Sequence, residues 1–163
     1  MTRYVFLSRN EADTDRLGAA LACEAPAGAV VALCGTLGAG KTRLVQAVAQ
    51  AIDVPAGEAL SPTFVLIHEY HGRRTIYHID AYRIKDADEF FELGVEELLD
   101  GDGLVMIEWA DRVRSSLPDD RLQLTLEVAG PSARTVTIEG LGPKSAAAAK
   151  RIAAVLGAEA QTR

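Results

Sequence analysis

The chain predicts a single α/β domain whose central sheet is partly parallel and partly antiparallel, with helices flanking it. Three observations carry this reading. The runs Val30–Cys34 and Leu104–Ile107 are continuously apolar, the pattern of strands buried on both faces. Two further pairs of strand-like segments each flank a glycine-bearing turn, the pattern of antiparallel hairpins. Helical spacing of apolar residues fills most of the remainder. At 163 residues, against roughly 150 per domain, the length suits one domain.

Taken in order, Tyr4–Leu7 reads as a short strand, and Ser8 or Asn10 caps a helix running through Leu17, Leu21 and Cys23. The buried run Val30–Cys34 stops abruptly at Gly35, and a helix from about Lys41 to Ile52 follows, with Leu44, Val45, Val48 and Ile52 as its apolar face. Phe64–Tyr70 and Arg74–Ile79 flank His71-Gly72-Arg73 as the first hairpin. Asp86–Leu99 has helical spacing broken at Gly94, which gives two short helices. The second buried run ends at Glu108-Trp109, and Arg121–Val128 and Arg134–Ile138 form a second hairpin around Gly130-Pro131. From Ser145 to Ala160 the chain is alanine-rich, and Ala149, Ile152, Ala153 and Leu156 make one apolar helical stripe. Residues 1–142 are therefore expected to form the main domain, with residues 143–163 a helix packed on it and frayed from Glu159 to Arg163.

Composition excludes several classes. With 48% hydrophobic and 25% charged residues the chain is neither disordered nor collagen-like. A net charge of −6 argues against a surface that grips a nucleic-acid backbone, and Arg73-Arg74 reads as the solvated end of a hairpin. No run approaches the ~18 apolar residues of a membrane span, and Met1–Tyr4 does not open a signal peptide, so the expected location is the cytoplasm. Cys23 and Cys34 fit no metal or disulfide pattern and are read as small buried side chains.

Gly35-Thr36-Leu37-Gly38-Ala39-Gly40-Lys41-Thr42 fills every fixed position of the eight-residue phosphate-binding loop. A random chain of this length would match roughly once in a couple of hundred tries. The loop also leaves a buried strand and opens a helix, the context that confirms the motif. The fold is thus a single-domain P-loop NTPase. Gly38 and Gly40 let successive N–H groups turn inward at the phosphates, where the helix N-terminus adds partial positive charge. Lys41 supplies a cation to the β- and γ-phosphates, and the Thr42 hydroxyl is the expected magnesium ligand. Leu37 to Thr42 form the nucleotide-binding set.

Hydrolysis needs more than a loop, and three positions offer it. Glu108 ends a buried strand, where such folds keep the acidic partner of the metal, bound directly or through water. Asp80 ends another strand and either orients the attacking water, binds a metal water, or simply caps the strand. Thr63, with Ser61 and Pro62 before it, either reaches magnesium or γ-phosphate as switch loops do, or sits in an ordinary turn. His68, His71 and His78 lie on one hairpin with no further ligand at metal spacing. Trp109 touches nucleotide, touches a partner, or packs half-buried; the sequence leaves all three open. The helix after Asn10 and the turn Ser132–Arg134 are candidates for adenine contacts. The chain's only asparagine is Asn10, so the Asn-Lys-x-Asp signature of guanine specificity is absent. No basic insertion suggests the arginine lid of a small-molecule kinase.

The succession of phosphate loop, Ser61-Pro62-Thr63-Phe64, His78-Ile79-Asp80-Ala81-Tyr82-Arg83, Phe91-Glu92-Leu93-Gly94 and Ile107-Glu108-Trp109-Ala110 resembles the TsaE family, also called YjeE, of bacterial P-loop ATPases. The likeness spans about Asn10 to Gly140. It implies a role in forming threonylcarbamoyladenosine, the modified adenosine beside the anticodon of tRNAs that read codons starting with A. It implies ATP as substrate, magnesium as cofactor, and a TsaB-TsaD heterodimer as partner, reset by the ATPase cycle, with tRNA served only indirectly through that complex. Residue by residue it puts Leu37 to Thr42 on the phosphates, Thr42 and Glu108 on magnesium, Ser61 and Thr63 on a switch-like loop, and Lys41, Asp80 and Glu108 in catalysis. Tyr82, Arg83 and Trp109 become contacts to partner or nucleotide. Thr36 departs from the aspartate common at that loop position, which removes a negative charge near the triphosphate. A nucleotide-gated adaptor that hydrolyses negligibly is the alternative from another class, and a small-molecule kinase the third.

Overall fold

The computed structural model describes residues 1–59 and 66–162. Its elements in chain order are β1 (Thr2–Ser8), α1 (Glu11–Glu24), β2 (Val30–Gly35), α2 (Lys41–Ala51), β3 (Ile67–His71), β4 (Thr75–Asp80), α3 (Ala87–Glu92) and α4 (Val95–Leu99). There follow β5 (Leu104–Glu108), a 3-10 helix over Ala110–Ser116, β6 (Leu122–Val128), β7 (Arg134–Gly140), α5 (Pro143–Leu156) and β8 (Glu159–Thr162). Among the described residues the strands form one eight-stranded sheet in the order β3-β4-β5-β2-β6-β7-β1-β8.

The two wholly apolar runs occupy the middle of that order because only there are both faces covered. β2 pairs in parallel with β5 on one side and β6 on the other, and β4 joins β5 in parallel. The remaining contacts are antiparallel: β3 with β4, β6 with β7, β7 with β1, and β1 with β8. Alternate residues of β2, such as Val31 and Leu33, face a core shared with α1, α2 and α5, while Val30, Ala32 and Cys34 face a second core under α3, α4 and the 3-10 helix. α1 lies against α2 through Gly18, where an added Cβ would fall 2.5 Å from the Ala47 Cβ, so only glycine permits the approach. Asn10 caps α1 by accepting from the Asp13 N–H at 2.9 Å.

Several expectations are corrected. Glu159–Thr162 is an edge strand on β1, with Thr2 opposite Thr162, where fraying was expected. Gly157 ends α5 in the left-handed conformation at φ +66°, turning the chain back along β1. All four side chains of β8 are exposed, so backbone pairing alone holds it and its composition carries no strand signal. Cys23 is exposed where burial was expected, because α1 faces inward through Leu17, Ala20 and Leu21. Arg74 is no solvated hairpin end: its guanidinium donates to the carbonyls of Ala22, Ala25 and Pro26 and ties down the C-terminus of α1. The first hairpin is shifted by one residue at β4, which runs Thr75–Asp80, and the expected strand start at Phe64 lies outside the described residues. No helix among the described residues is long and apolar enough to cross a membrane.

Candidate functional site

The parallel strands β2, β4 and β5 end side by side, and each carries its chemistry at the carboxyl end. β2 runs into the loop Gly35–Gly40, where Gly38 and Gly40 take φ of +80° and +100°, values an L side chain resists. Gly40 is the cap residue of α2, which has no side-chain cap and no acidic residue in its first turn. The orphan N–H groups of that turn and their partial positive charge are thus left for an anion. Lys41, only 4% exposed, donates from Nζ to the carbonyls of Gly35 at 2.7 Å and Thr36 at 2.9 Å and lies 3.8 Å from the centre of the Trp109 ring. Burial lowers its pKa from the usual lysine value, while Glu108, Asp111, Cys34 and Asp80 pull it back up.

On β5 the residues facing α2 are Leu104, Met106 and Glu108; on β4 they are Ile76, His78 and Asp80, with Asp80 in register beside Glu108. Each strand is apolar at depth and carboxylate-bearing at its mouth. Glu108 is 4% exposed and accepts from the Thr42 hydroxyl at 2.7 Å (Oε1) and 3.0 Å (Oε2). Its Oε2 also lies 2.5 Å from Nε2 of His78, itself 1% exposed, and His78 Nδ1 lies 3.1 Å from the Tyr70 hydroxyl. Burial, with Glu108 adding to it, pushes the Tyr70 phenol up to about 12, so it stays protonated through the neutral range. Asp80 Oδ1 accepts from the Tyr82 N–H at 2.9 Å and closes the turn after β4.

Trp109 follows Glu108 in the left-handed region, φ 57° and ψ 37°, a conformation costing an L-residue roughly 1–2 kcal/mol. That turn lays the indole beneath Lys41 and against the Tyr82 ring, 4.9 Å between centroids, and Arg112 covers the other ring at 4.9 Å from the Tyr82 centroid. These walls enclose a cavity of about 380 Å³ lined by Leu37, Gly38, Gly40, Lys41, Thr42, Arg43, Asp80, Tyr82, Arg83, Glu108 and Trp109. A second cavity of about 350 Å³ adjoins it across Gly40 and Arg43, and its lining includes Asn10, Thr14, Ala39, Pro131, Ser132 and Arg134. Arg134 fastens the two together. Its Nε donates to Ala39 O at 3.1 Å and its Nη2 to Gly38 O at 3.2 Å, while Nη1 holds Gly130 and Ala133 of its own hairpin.

The model of the family described as threonylcarbamoyl adenosine biosynthesis protein TsaE matches residues 8–136. The chain belongs to the TsaE family. The tRNA threonylcarbamoyladenosine biosynthesis protein TsaE of Treponema pallidum (strain Nichols) is 39% identical over 132 residues, 81% of this chain and 97% of that protein. The protein of the same name from Bacillus subtilis (strain 168) is 36% identical over 134 residues, 82% of this chain and 83% of that one. Among solved structures, the crystal structure of Bacillus subtilis YdiB superposes with a TM-score of 0.79 at 28% identity, covering 94% of this chain and 97% of that one. The fold is the expected α/β P-loop fold, and TsaE membership places the chain in tRNA threonylcarbamoyladenosine biosynthesis and implies nucleotide binding.

Within this TsaE-family chain, the sequence-derived residues Leu37, Gly38, Gly40, Lys41, Thr42, Asp80, Tyr82, Arg83, Glu108 and Trp109 share one cavity. Ala39 turns instead to the neighbouring cavity, together with Asn10, Ser132 and Arg134 from the adenine candidates. Ser61 and Thr63 lie outside the described residues. Glu108, expected at the end of a buried strand, is itself buried there with two side-chain partners, because β5 is covered by α2 up to its last residue. His78 and Tyr70 are the residues that sequence reasoning missed in the site, and for Arg134, an adenine candidate, it missed the hold on the loop carbonyls of Gly38 and Ala39. The i, i+2 step from His78 to Asp80 was the available signal, since it puts both on one strand face.

The donor set also fits magnesium. Thr42 and Glu108 present hard oxygens 2.7 Å apart, and the Thr42 proton goes to the carboxylate, which leaves the hydroxyl lone pairs free. Magnesium takes few protein ligands and completes its shell with phosphate oxygens and water.

Proposed function

We propose that this chain is a magnesium-dependent ATP hydrolase that serves tRNA threonylcarbamoyladenosine formation by resetting a TsaB-TsaD partner complex. The observation that carries the reading is the convergence of an uncapped, glycine-shaped helix start, Lys41, the Thr42–Glu108 pair and Asp80 on one cavity.

The adenosine occupies the second cavity between Asn10 and the Ser132–Arg134 turn, with the triphosphate crossing Gly40 into the first. Loop N–H groups bind the phosphate oxygens, and Lys41 Nζ exchanges the carbonyls of Gly35 and Thr36 for the β- and γ-oxygens. Thr42 and Glu108 hold magnesium, which when bound neutralises charge building on the bridging oxygen. Asp80 keeps one carboxylate oxygen on Tyr82 N–H and turns the other to the attacking water. The water oxygen bonds to the γ-phosphorus as the bond to the β-bridging oxygen breaks; ADP leaves, and the water proton passes to the released phosphate. Ser61 and Thr63 keep the switch role the family resemblance gives them. Leu37, 84% exposed at the loop tip, and Tyr82 rim the mouth, which suits closure by a protein partner.

The test is ATP hydrolysis by the purified chain, alone and with TsaB and TsaD of the same organism, with Glu108→Gln as control. Stimulation by the pair that disappears in Glu108→Gln supports the reading. ATP binding without hydrolysis in either condition replaces it with the nucleotide-gated adaptor.

A further inference from the structure

Three of the four groups in the line Tyr70, His78, Glu108, Thr42 follow from one another by donor counting. A carboxylate only accepts, so the 2.5 Å contact between His78 Nε2 and Glu108 Oε2 requires the proton to sit on Nε2. The other ring nitrogen, Nδ1, lies 3.1 Å from the Tyr70 hydroxyl, which can donate to it when it is bare or accept from it when it is protonated. His78 is 1% exposed, where an unpaired ring nitrogen would cost the full desolvation of that group. The chain crosses three strands, from Tyr70 on β3 through His78 on β4 to Glu108 on β5, and reaches the first turn of α2 at Thr42. No local sequence rule needs a histidine there: at the same depth β5 has Met106, directly opposite His78.

We infer that His78 is a positioning residue for Glu108: its Nε2–H pins Oε2 from within the protein, so that Oε1 and the Thr42 hydroxyl stay presented at the cavity as a preformed magnesium pair. The carboxylate, which only accepts, puts the proton on Nε2, and the Tyr70 hydroxyl, which can donate or accept, completes the imidazole at Nδ1. The inference rests on the magnesium reading above and adds the group that orients the ligand. Such outer partners tune metal affinity by about 10–100-fold. Without the Nε2–H, the remaining side-chain donor to Glu108 among the described residues is the Thr42 hydroxyl that both oxygens already share at 2.7 and 3.0 Å, so nothing fixes which oxygen faces the cavity.

Calorimetry of ADP binding with and without magnesium tests this on the full chain, His78→Gln and His78→Asn. The glutamine amide reaches about as far as Nε2, whereas the asparagine amide stops near Nδ1 and keeps only the Tyr70 side. Expected are a magnesium-linked gain in ADP affinity for the unmodified chain, retention of that gain within about 3-fold in His78→Gln, and its loss by about 10–100-fold in His78→Asn. Magnesium-free ADP affinity should change by less than about 3-fold in both, since the loop cradle does not involve His78. Full retention of the gain in His78→Asn overturns the inference, as does an equal loss of magnesium-free affinity, which would mark a purely structural residue. Should His78→Asn not fold, nitrogen NMR of the imidazole in the unmodified chain decides: a proton on Nε2 upholds the inference, whether or not Nδ1 also carries one, and a bare Nε2 overturns it. If the unmodified chain gains no ADP affinity from magnesium, the magnesium reading fails and the inference with it; if it gains and His78→Asn gains equally, only the inference fails.

Discussion

α2 and α5 both begin after a glycine, yet their first turns are used in opposite ways. At α5 the carboxylate of Asp120 reaches across from the loop before β6 and accepts from the N–H groups of Lys144 at 3.0 Å and Ser145 at 2.9 Å. Burial pushes the Asp120 carboxyl up, but the hydrogen bonds from the Ser145 side chain and from the two N–H groups, with the Lys144 charge, outweigh it and leave the pKa below the usual aspartate value. At α2 Gly40 brings no side chain, the first turn holds no acid, and the carboxylate of Glu108 beside it is occupied by Thr42 and His78. The same orphan N–H groups and the same dipole are met by a carboxylate of the fold at one helix and left without a side-chain cap at the other, where phosphate is proposed to bind. What separates them is whether the chain supplies its own anion.

The largest effects are expected at the open start. Lys41→Ala removes the buried cation and should weaken ATP binding by about 2 kcal/mol or more, roughly 30-fold, in a calorimetric titration. Unchanged affinity would mean that α2 is not the phosphate end. Glu108→Ala should abolish magnesium-dependent phosphate release and also lower the unfolding free energy by about 1–3 kcal/mol, because it strands the donors of Thr42 and His78. Glu108→Gln should lose turnover while keeping most of the stability; equal unfolding of the two variants would contradict the pairing described.

Next comes Gly40→Ala, which forces an L-residue to φ +100° and should cost about 1–3 kcal/mol of stability with a parallel loss of ATP affinity. Asp120→Ala should cost about 1 kcal/mol in denaturant unfolding at neutral pH and leave ATP affinity alone. Its pH dependence has a definite sign. A carboxyl whose folded pKa lies below its unfolded value stabilises fully above the unfolded pKa, and that stability is lost as pH falls through the folded one. The gap between the native chain and Asp120→Ala should therefore close on acidification below the ordinary aspartate range, and a gap constant with pH would remove Asp120 from the cap. Smallest is Arg151→Ala, which deletes an exposed pair with Glu24 at 2.9 Å and should change stability by no more than about 1 kcal/mol.

Strand β2, the phosphate loop and α2 were legible because each depends on neighbours in the chain: an apolar run, glycines at fixed positions, and a 3.6-residue stripe. The split of Asp86–Leu99 into α3 and α4 at Gly94 was legible for the same reason. β8 was not, since backbone pairing with β1 leaves no trace in four exposed side chains. Cys23 and Arg74 were misread because burial of one and capping by the other depend on which face α1 turns inward.

By itself, then, the amino-acid order determined that this chain has a phosphate loop on a strand–helix joint and carboxylates at two strand ends, because those features are local and their spacing is covalent. Tertiary structure decided the rest. Parallel pairing of β4 with β5 sets Asp80 beside Glu108 and brings His78 to its carboxylate, the left-handed turn at Trp109 lays the indole under Lys41, and the β6–β7 hairpin delivers Arg134 to the loop carbonyls. Contacts between residues 30 to 96 positions apart exist only once sheet register is chosen, and register is set by burial of whole faces that no short stretch of sequence records.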